Sequence, residues 1–432
     1  MNILSAIPKA GWGLAAMLAL GLVGCGGGGG GGAVAPAALA PGVVGTAVNT
    51  AAAAPANDTS VNSSAGFAVL QNAGLPVATL ASPLKINFTV FSDGGIKTGL
   101  TSSNVSLVIA KLVPGSAGNP DQWVNYIYRT ESTATAPNNG GSGAGGTPVL
   151  ATALQATSDP KDKQDPAFPA DPTKKLGTLE YNAAEGYYTY TFSTDIRDPA
   201  FNANSVKTNG VVFEPNLTHR VAVQLSYTNA AGKTVRTNPY YDFKFVADGA
   251  GYKAVALTNP ATETRLMADI TNCNTCHNQL ALHGGGRVDV QYCVMCHNPG
   301  TVDANSGNVL TMSTMVHKIH AGRRLGASAL QIWGYGGSKH DYAEVGFPQD
   351  LRNCTKCHSQ STATPNGDNW KTKPSKEACL TCHLSGAGTA WTTSHDTLAA
   401  TIHLANADAM TNLNCAGCHA DGSNLSANQV HW

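Results

Sequence analysis

The sequence has few charged residues and no excess of either sign. Only 12% of its 432 residues are Asp, Glu, Lys or Arg, and 27 basic residues balance 27 acidic ones. Nucleic-acid-binding proteins need a basic face for the phosphate backbone, so this balance argues against a nucleic-acid partner. Outside the N-terminal signal the chain also lacks an apolar run long enough to cross a bilayer, which predicts a mature protein that does not span the membrane.

Cysteine and histidine are almost absent from the first 260 residues. Cys25 and His219 are the exceptions, whereas ten cysteines and twelve histidines lie between 260 and 432. This sharp change in composition predicts two parts with different chemistry. The chemistry of the protein is therefore expected in the C-terminal part, and His219 is expected to be an ordinary surface residue.

Residues 67–250 alternate apolar and polar side chains. The clearest runs lie at 86–90, 105–110, 188–192, 221–225 and 241–245. Alternation with a period of two, rich in β-branched and aromatic residues, is typical of half-buried antiparallel strands. The sequence therefore predicts an all-β domain over 67–250, built as a β-sandwich or a small barrel.

The N-terminus combines an export signal with a low-complexity segment. Residues 11–23 form an apolar run of 13 residues, the length of a signal-peptide core. The sequence that follows, Leu22-Val-Gly-Cys25, resembles the processing box of bacterial lipoproteins, whose cysteine is lipidated. We predict a lipoprotein signal peptide over 1–24 and lipidation of Cys25; ordinary signal cleavage with a free Cys25 is the alternative. The glycine run at 26–32 and the Ala/Pro-rich sequence after it predict a flexible tether over 25–66.

Ten of the eleven cysteines form five copies of one pattern, Cys-x-x-Cys-His. This pattern is the attachment signature of c-type haem. Two thiols one helical turn apart add to the haem vinyl groups, and the histidine that follows becomes the proximal iron ligand. The predicted attachment residues are Cys273, Cys276, Cys293, Cys296, Cys354, Cys357, Cys379, Cys382, Cys415 and Cys418. The predicted proximal ligands are His277, His297, His358, His383 and His419.

Other uses of paired cysteines fit this pattern less well. Tetrahedral zinc needs two pairs per site and gives no reason for a histidine at a fixed offset, and disulfide frameworks do not repeat one short loop. We therefore predict five covalently bound haem c groups. These groups would form the core of residues 260–432, where the sequence indicates only short helices, such as 311–321 and 394–405.

Seven further histidines in the C-terminal part are candidates for the distal axial position. They are His283, His317, His320, His340, His395, His403 and His431. Seven candidates suffice for two histidines at every iron, which favours electron transfer because no position stays open for a substrate. His317 and His320 would share one side of a helix and reach two neighbouring haems. Arg287 is a candidate partner for a haem propionate.

Three longer motifs carry a family resemblance. They are the segment from Cys273 to His297 with its internal His283-Gly-Gly-Gly-Arg287, the segment Met315-Val-His317-Lys-Ile-His320-Ala-Gly322, and the run from His340 to Asp350. Together they resemble the outer-membrane multihaem cytochromes of dissimilatory metal-reducing bacteria, of the OmcA/MtrC type. The resemblance covers 265–432 strongly and 84–248 more loosely. It implies a split β-barrel followed by a pentahaem domain over 260–432, which is one half of a typical ten-haem member.

The resemblance also implies distal ligands. By position, His283, His317, His320, His395 and His431 match the distal ligands of that family, with His403 and His340 as alternatives.

The family role follows from the same resemblance. It implies a lipoprotein on the outer membrane, exposed at the cell surface, that passes electrons to extracellular metal oxides, metal chelates or flavins. Its partners would be other multihaem cytochromes or a porin–cytochrome conduit. A periplasm-facing electron shuttle and a multihaem oxyanion reductase are the alternatives. No catalytic acid or base is expected, and terminal metal reduction stays open as an enzymatic role.

Overall fold

The structure is a computed structural model that describes residues 42–61, 64–116, 118–132, 149–160, 176–197, 211–334, 337–383, 412–423, 425–429 and 431. Its strands are β1 (Ala78–Leu80), β2 (Leu84–Phe88), β3 (Phe91–Ser92), β4 (Gly95–Ile96), β5 (Val105–Val113), β6 (Gln122–Asn125), β7 (Tyr128–Ser132), β8 (Thr152–Ala156), β9 (Thr178–Asn182), β10 (Tyr187–Thr191), β11 (His219–Thr228), β12 (Thr234–Thr237), β13 (Tyr240–Asp248), β14 (Gly251–Ala256), β15 (Gln331–Trp333) and β16 (Lys339–Asp341). Its α-helices are α1 (Val43–Ala52), α2 (Ala65–Asn72), α3 (Pro260–Glu263), α4 (Ile270–His277), α5 (Val290–Cys293), α6 (Met312–His320), α7 (Gly322–Leu325), α8 (Asn369–Thr372), α9 (Lys376–His383) and α10 (Asn412–His419).

The strands before α3 build one large antiparallel sheet with two added hairpins. The sheet order is β6-β5-β11-β13-β14-β1-β2-β10-β9, with β12 paired to β11, while β3–β4 and β7–β8 pair separately. Tyr188 and Tyr190 of β10 are buried and their neighbours are partly exposed, as the alternating sequence predicts. The predicted order, an all-β part followed by a part with short helices, is confirmed.

The sheet curls until two strands that are six places apart in its order meet at Asp159. The backbone amide of Asp159 donates to the Leu107 carbonyl of β5 at 2.9 Å. Its fully buried carboxylate accepts hydrogen bonds from Tyr190 of β10 (3.1 Å) and from Ser193 and Thr194, which follow that strand. One core is therefore enclosed by a single curled sheet, a barrel-like arrangement rather than two facing sheets.

His219 at the start of β11 is buried, and the prediction that it lies at the surface is wrong. Its Nδ1 donates to the Leu217 carbonyl at 2.8 Å, and its Nε2 accepts from the Tyr126 hydroxyl at 2.8 Å. The ring stacks on Phe243 with 5.9 Å between ring centroids. Because both nitrogens are hydrogen-bonded, a neutral imidazole can lie in an aromatic core without an unpaired polar group.

We expect His219 to make the fold sensitive to acid. Burial lowers the pKa of His219 to about 3, from an ordinary value of 6.5. Between pH 6.5 and pH 3, His219 binds a proton in the unfolded chain but stays neutral in the folded chain. The contribution of buried His219 to stability is therefore full above pH 6.5 and is lost as the pH falls toward 3. In urea unfolding followed by far-UV circular dichroism, the stability advantage of wild type over H219Q should shrink by about 3 kcal/mol between pH 7 and pH 4. Parallel pH profiles for the two proteins would contradict the assignment.

Residues 43–61 fold against the sheet, whereas the sequence predicts a tether as far as residue 66. Val44, Val48 and Ala52 recur at helical spacing in α1 and pack with Phe91 of β3. The Glu185 carboxylate, from the β9–β10 turn, accepts hydrogen bonds from the backbone amides of Gly42 and Gly45 at the start of α1. This Ala-rich sequence resembles a low-complexity segment, but it forms the amphipathic helix α1.

The remaining N-terminal predictions lie outside the described residues. These are the signal peptide over 1–24, the lipidation of Cys25 and the first part of the tether. Across the segments that the structure describes, none of the helices is long and apolar enough to cross a bilayer.

The second CxxCH motif completes the core of the sheet. Tyr292, Met295 and Cys296 belong to the same buried cluster as the strand residues. Asn125 of β6 donates to the Met295 carbonyl at 2.7 Å. Asn238, before β13, accepts the backbone amides of 288 and 289 and donates to the carbonyl of 286. The all-β part and the first section of the C-terminal part therefore share one hydrophobic core.

Arg220 joins these two parts through a buried ion pair. Its guanidinium is fully buried and binds both carboxylate oxygens of Asp242, at 2.6 and 2.7 Å. A third nitrogen donates to the Gln291 side chain of α5 at 2.8 Å. The guanidinium carbon Cζ lies 4.3 Å from the ring centroid of Trp123 and 4.6 Å from that of Tyr240. Arg220 thus ties β11 and β13 to the helix that begins the second motif.

Candidate haem-binding sites

The CxxCH motifs lie on short helices or turns. The first, fourth and fifth motifs end α4, α9 and α10, each eight residues long. The second begins at the end of α5, and the third starts on a 3-10 turn over Cys354–Lys356. The carboxylates of Asp269 and Asp289 cap α4 and α5. A helical turn brings the two thiols of a motif to one side, and none of the ten motif cysteines forms a disulfide.

Three pairs of histidine rings face one another across about 6 Å. The centroid distances are 6.0 Å for His277–His320, 6.0 Å for His283–His297 and 6.2 Å for His317–His358. Each pair joins one CxxCH histidine to one predicted distal candidate. Two metal–imidazole bonds of about 2 Å each, together with the distances from nitrogen to ring centre, add up to roughly 6 Å. The spacing of each pair therefore fits a metal held between two rings.

Backbone carbonyls hold the Nδ1 atoms of several of these rings. The bonds run from His297 to Leu310 (3.0 Å), from His358 to Met267 (3.1 Å), from His320 to Val316 (2.9 Å), from His419 to Leu425 (2.9 Å) and from His431 to Ala427 (2.9 Å). A proton fixed on Nδ1 leaves Nε2 free to bind a metal and fixes the orientation of the ring. The sequence does not predict these carbonyls, because every residue has a backbone carbonyl and its residue type does not show which one accepts a hydrogen bond.

Burial keeps four of the six facing rings neutral. It lowers the pKa of His283 to about 3 and the pKa of His297 and of His317 to about 4, and it also lowers the pKa of His358. A metal binds the neutral form of imidazole. These two sites therefore need no proton release near neutral pH to accept an iron.

Helix α6 brings two histidines to two different motifs. The predicted helix over 311–321 is confirmed as Met312–His320. Met315 anchors one side of the helix in a small apolar cluster with Leu310 and Leu330. The structure brings His317 to the third motif and His320 to the first. The spacing between these two sites is thus set by one turn of helix.

His283 reaches its position through an unusual backbone. Its φ is +52°, followed by +72° at Gly284 and +81° at Gly285. A non-glycine residue rarely adopts this left-handed region, and such residues concentrate at functional sites. This turn directs the His283 ring toward His297 of the second motif. The positive φ angles at Gly284 and Gly285 favour glycine at both positions.

The motifs follow one another in space in the order second, first, third, fourth, fifth. At each link between neighbouring motifs, burial raises the pKa of one cysteine, and the charge of a thiolate from the next motif raises it further. The links are Cys293 with Cys273, Cys273 with Cys357, Cys354 with Cys382, and Cys379 with Cys415. The Asn272 side chain also donates to the Cys357 carbonyl at 3.2 Å, and the Lys376 amide donates to the Asn412 side chain. The motifs therefore form one continuous series.

The other predicted ligands and the candidate propionate partner are placed differently or lie outside the described residues. His395, His403 and the side chain of His383 lie outside the described residues. His340 is exposed on the β15–β16 hairpin, with its Nε2 3.4 Å from the Ser338 hydroxyl, and belongs to none of the three facing pairs. The candidate propionate partner Arg287 donates to the Gln224 side chain at 3.3 Å and lies 5.7 Å from the Tyr292 ring centroid.

Comparisons with known proteins agree with this arrangement. Residues 265–432 match the family described as outer membrane cytochrome MtrC/MtrF-like, domains II/IV. The multiheme cytochrome MtrC of Shewanella baltica (strain OS185) is 26% identical over 236 residues, which cover 54% of this chain and 28% of MtrC.

One solved structure supports the fold. The crystal structure of the outer membrane decaheme cytochrome OmcA is similar, with a TM-score of 0.56 and 24% identity over 81% of this chain and 46% of OmcA. The crystal structure of MtrC from Shewanella baltica OS185 has a TM-score of 0.42 and 21% identity over 77% of this chain and 44% of MtrC. The chain spans less than half the length of these relatives. The resemblance predicted from the motifs is confirmed: residues 265–432 are similar to the outer-membrane multihaem cytochromes of the MtrC/OmcA type.

Proposed function

We propose that this chain holds five haem c groups and conducts electrons at the outer-membrane surface to acceptors outside the cell. The observation that carries the proposal is the set of three facing imidazole pairs, each joining a CxxCH histidine to a histidine elsewhere in the fold. When bound, each haem would supply a one-electron centre. The residues of the chain attach, orient and space these centres.

The fourth and fifth sites complete the proposed set. Cys379, Cys382 and His383 would hold one haem, and Cys415, Cys418 and His419 the other. By family position His395 and His431 are their distal ligands, with His403 and His340 as the alternatives. His431 is already oriented, because its Nδ1 is held by the Ala427 carbonyl.

Two axial imidazoles favour electron transfer over substrate chemistry. A reductase of oxyanions needs an open position on at least one iron. The facing pairs would supply both axial ligands at three of the five motifs. The continuous series of motifs suits a carrier, since one-electron centres conduct when each has a close neighbour. Other multihaem cytochromes, or a porin–cytochrome conduit, would supply the electrons, and metal oxides, metal chelates or flavins would accept them.

The location tests the proposal most directly. Intact cells would be treated with a protease, and the haem-stained band would be followed on a gel. We expect the band to disappear, because lipidation of Cys25 would anchor the protein and the surface location would expose it.

A C25A variant serves as the matched control, and its haem band should move to a soluble fraction. A wild-type band that resists protease until the outer membrane is ruptured would instead support the periplasm-facing shuttle.

A further inference from the structure

The segment 264–267 links the sheet to the third motif, and Arg265 lies within it. The Thr264 hydroxyl donates to the Asp242 carboxylate. The Leu266 amide donates to the Asn366 side chain at 2.8 Å, and the Met267 carbonyl accepts from Nδ1 of His358 at 3.1 Å. Hydrogen bonds on both sides of Arg265 therefore fix its backbone relative to the proximal histidine of the third motif.

The Arg265 side chain is a partly buried cation without a direct partner among the described residues. Within the described segments, no hydrogen bond or ion pair involves its guanidinium, and only Asp121 acts on it electrostatically. The Asp121 carboxylate accepts a hydrogen bond from the Gly115 amide at 2.8 Å. Burial lowers the pKa of Arg265, since a desolvated cation is costly without an anion beside it. The Arg265 charge also acts on the nearby His358 ring.

His317, which faces His358, differs from the other oriented rings. Its Nδ1 is buried and makes no hydrogen bond, whereas His297, His320 and His358 each donate to a carbonyl. The Ser313 carbonyl, one turn earlier, raises the pKa of His317 but does not form a hydrogen bond with its Nδ1. A ligand histidine without an acceptor at Nδ1 is a weaker base toward the metal. Weaker donation and a nearby positive charge both favour the reduced iron.

From these contacts we propose that Arg265 pairs with a propionate of the haem at the third motif and raises the redox potential of that site. This inference rests on the proposed function, because it needs a haem between His317 and His358. A haem brings two carboxylates, and a partly buried guanidinium beside it supplies the missing countercharge. Arg265 acts through charge and does not touch the iron, so it is a positioning residue.

Substitution of Arg265 in the full-length holoprotein tests the proposal. In a potentiometric titration followed by absorbance and EPR, R265M should lower the reduced-to-oxidised ratio of one site in five by about tenfold at a fixed potential. A tenfold change in this ratio corresponds to a shift in redox potential of about 59 mV for one electron. R265K keeps the charge and should stay close to wild type. R197M removes a partly buried arginine that pairs with Asp195, in the all-β part, and should leave every site unchanged.

The H317A variant serves as a background in which the affected site can be identified. H317A should make the third site high-spin and therefore visible on its own. The high-spin signal should then titrate at a lower potential in H317A/R265M than in H317A. Superimposable titrations for R265M and wild type, or an equal shift in R197M, would overturn the role of Arg265. Failure of the proposed function would appear separately, as fewer than five haem additions in the intact mass of the wild-type protein.

Discussion

Replacement of His320 with alanine is expected to convert one low-spin haem into a high-spin haem that binds carbon monoxide. His320 faces His277 at 6.0 Å, and its Nδ1 is held by the Val316 carbonyl. Its neighbour on α6, His317, faces His358 and is not free to replace it. The first site would lose one axial ligand and gain an open position. EPR and carbon monoxide difference spectra should report about one fifth of the total haem.

His340 offers a matched control for this substitution. It is exposed on a hairpin and belongs to none of the facing pairs. H340A should therefore leave the first three sites low-spin, and far-UV circular dichroism should show that both variants remain folded. An H320A protein with only low-spin haem would mean that His277 has a different distal partner.

Replacement of Asp242 with asparagine should produce the largest loss of stability among single substitutions in the all-β part. The Asp242 carboxylate pairs with the fully buried Arg220, and asparagine would leave that guanidinium without an anion. Breaking a buried ion pair on one side typically costs about 3–5 kcal/mol. Urea unfolding followed by far-UV circular dichroism measures the change.

Two controls separate burial from charge. D248N removes an exposed partner of Lys253, 3.2 Å away, and should cost less than about 1 kcal/mol. The double variant R220M/D242L removes both charges and should recover most of the loss, since an apolar pair avoids the unpaired ion. Equal destabilisation by D242N and D248N would contradict the importance of burial.

Strands and motif chemistry could be predicted from sequence because both depend on local patterns. The alternation around Tyr188 and Tyr190 reflects the period of a strand, whatever the sheet order. The helix that carries His317 and His320 was equally accessible, since its apolar residues recur at helical spacing. The five CxxCH motifs identify the cofactor through covalent chemistry alone.

The pairing of the histidines could not be predicted by spacing. Which candidate faces His277 or His358 depends on how distant segments pack, and the sequence offers more candidates than sites. The polar residue type of His219 favours the surface, whereas its position in the strand pattern puts it on the core side, where the structure has it. Arg265 gave no signal, because its role depends on the hydrogen bonds of Thr264 and Met267.

The shared core of the sheet and the second motif has a consequence for the maturation of the protein. Tyr292, Met295 and Cys296 fill space inside the barrel-like sheet, so its interior stays incomplete until this segment folds back. In the proposed function, Cys296 is also one of the thiols that accept a haem. Attachment at the second motif and closure of the sheet would then be coupled events. A chain that missed this attachment would keep a gap in its interior and would be the one that proteases of the cell remove first.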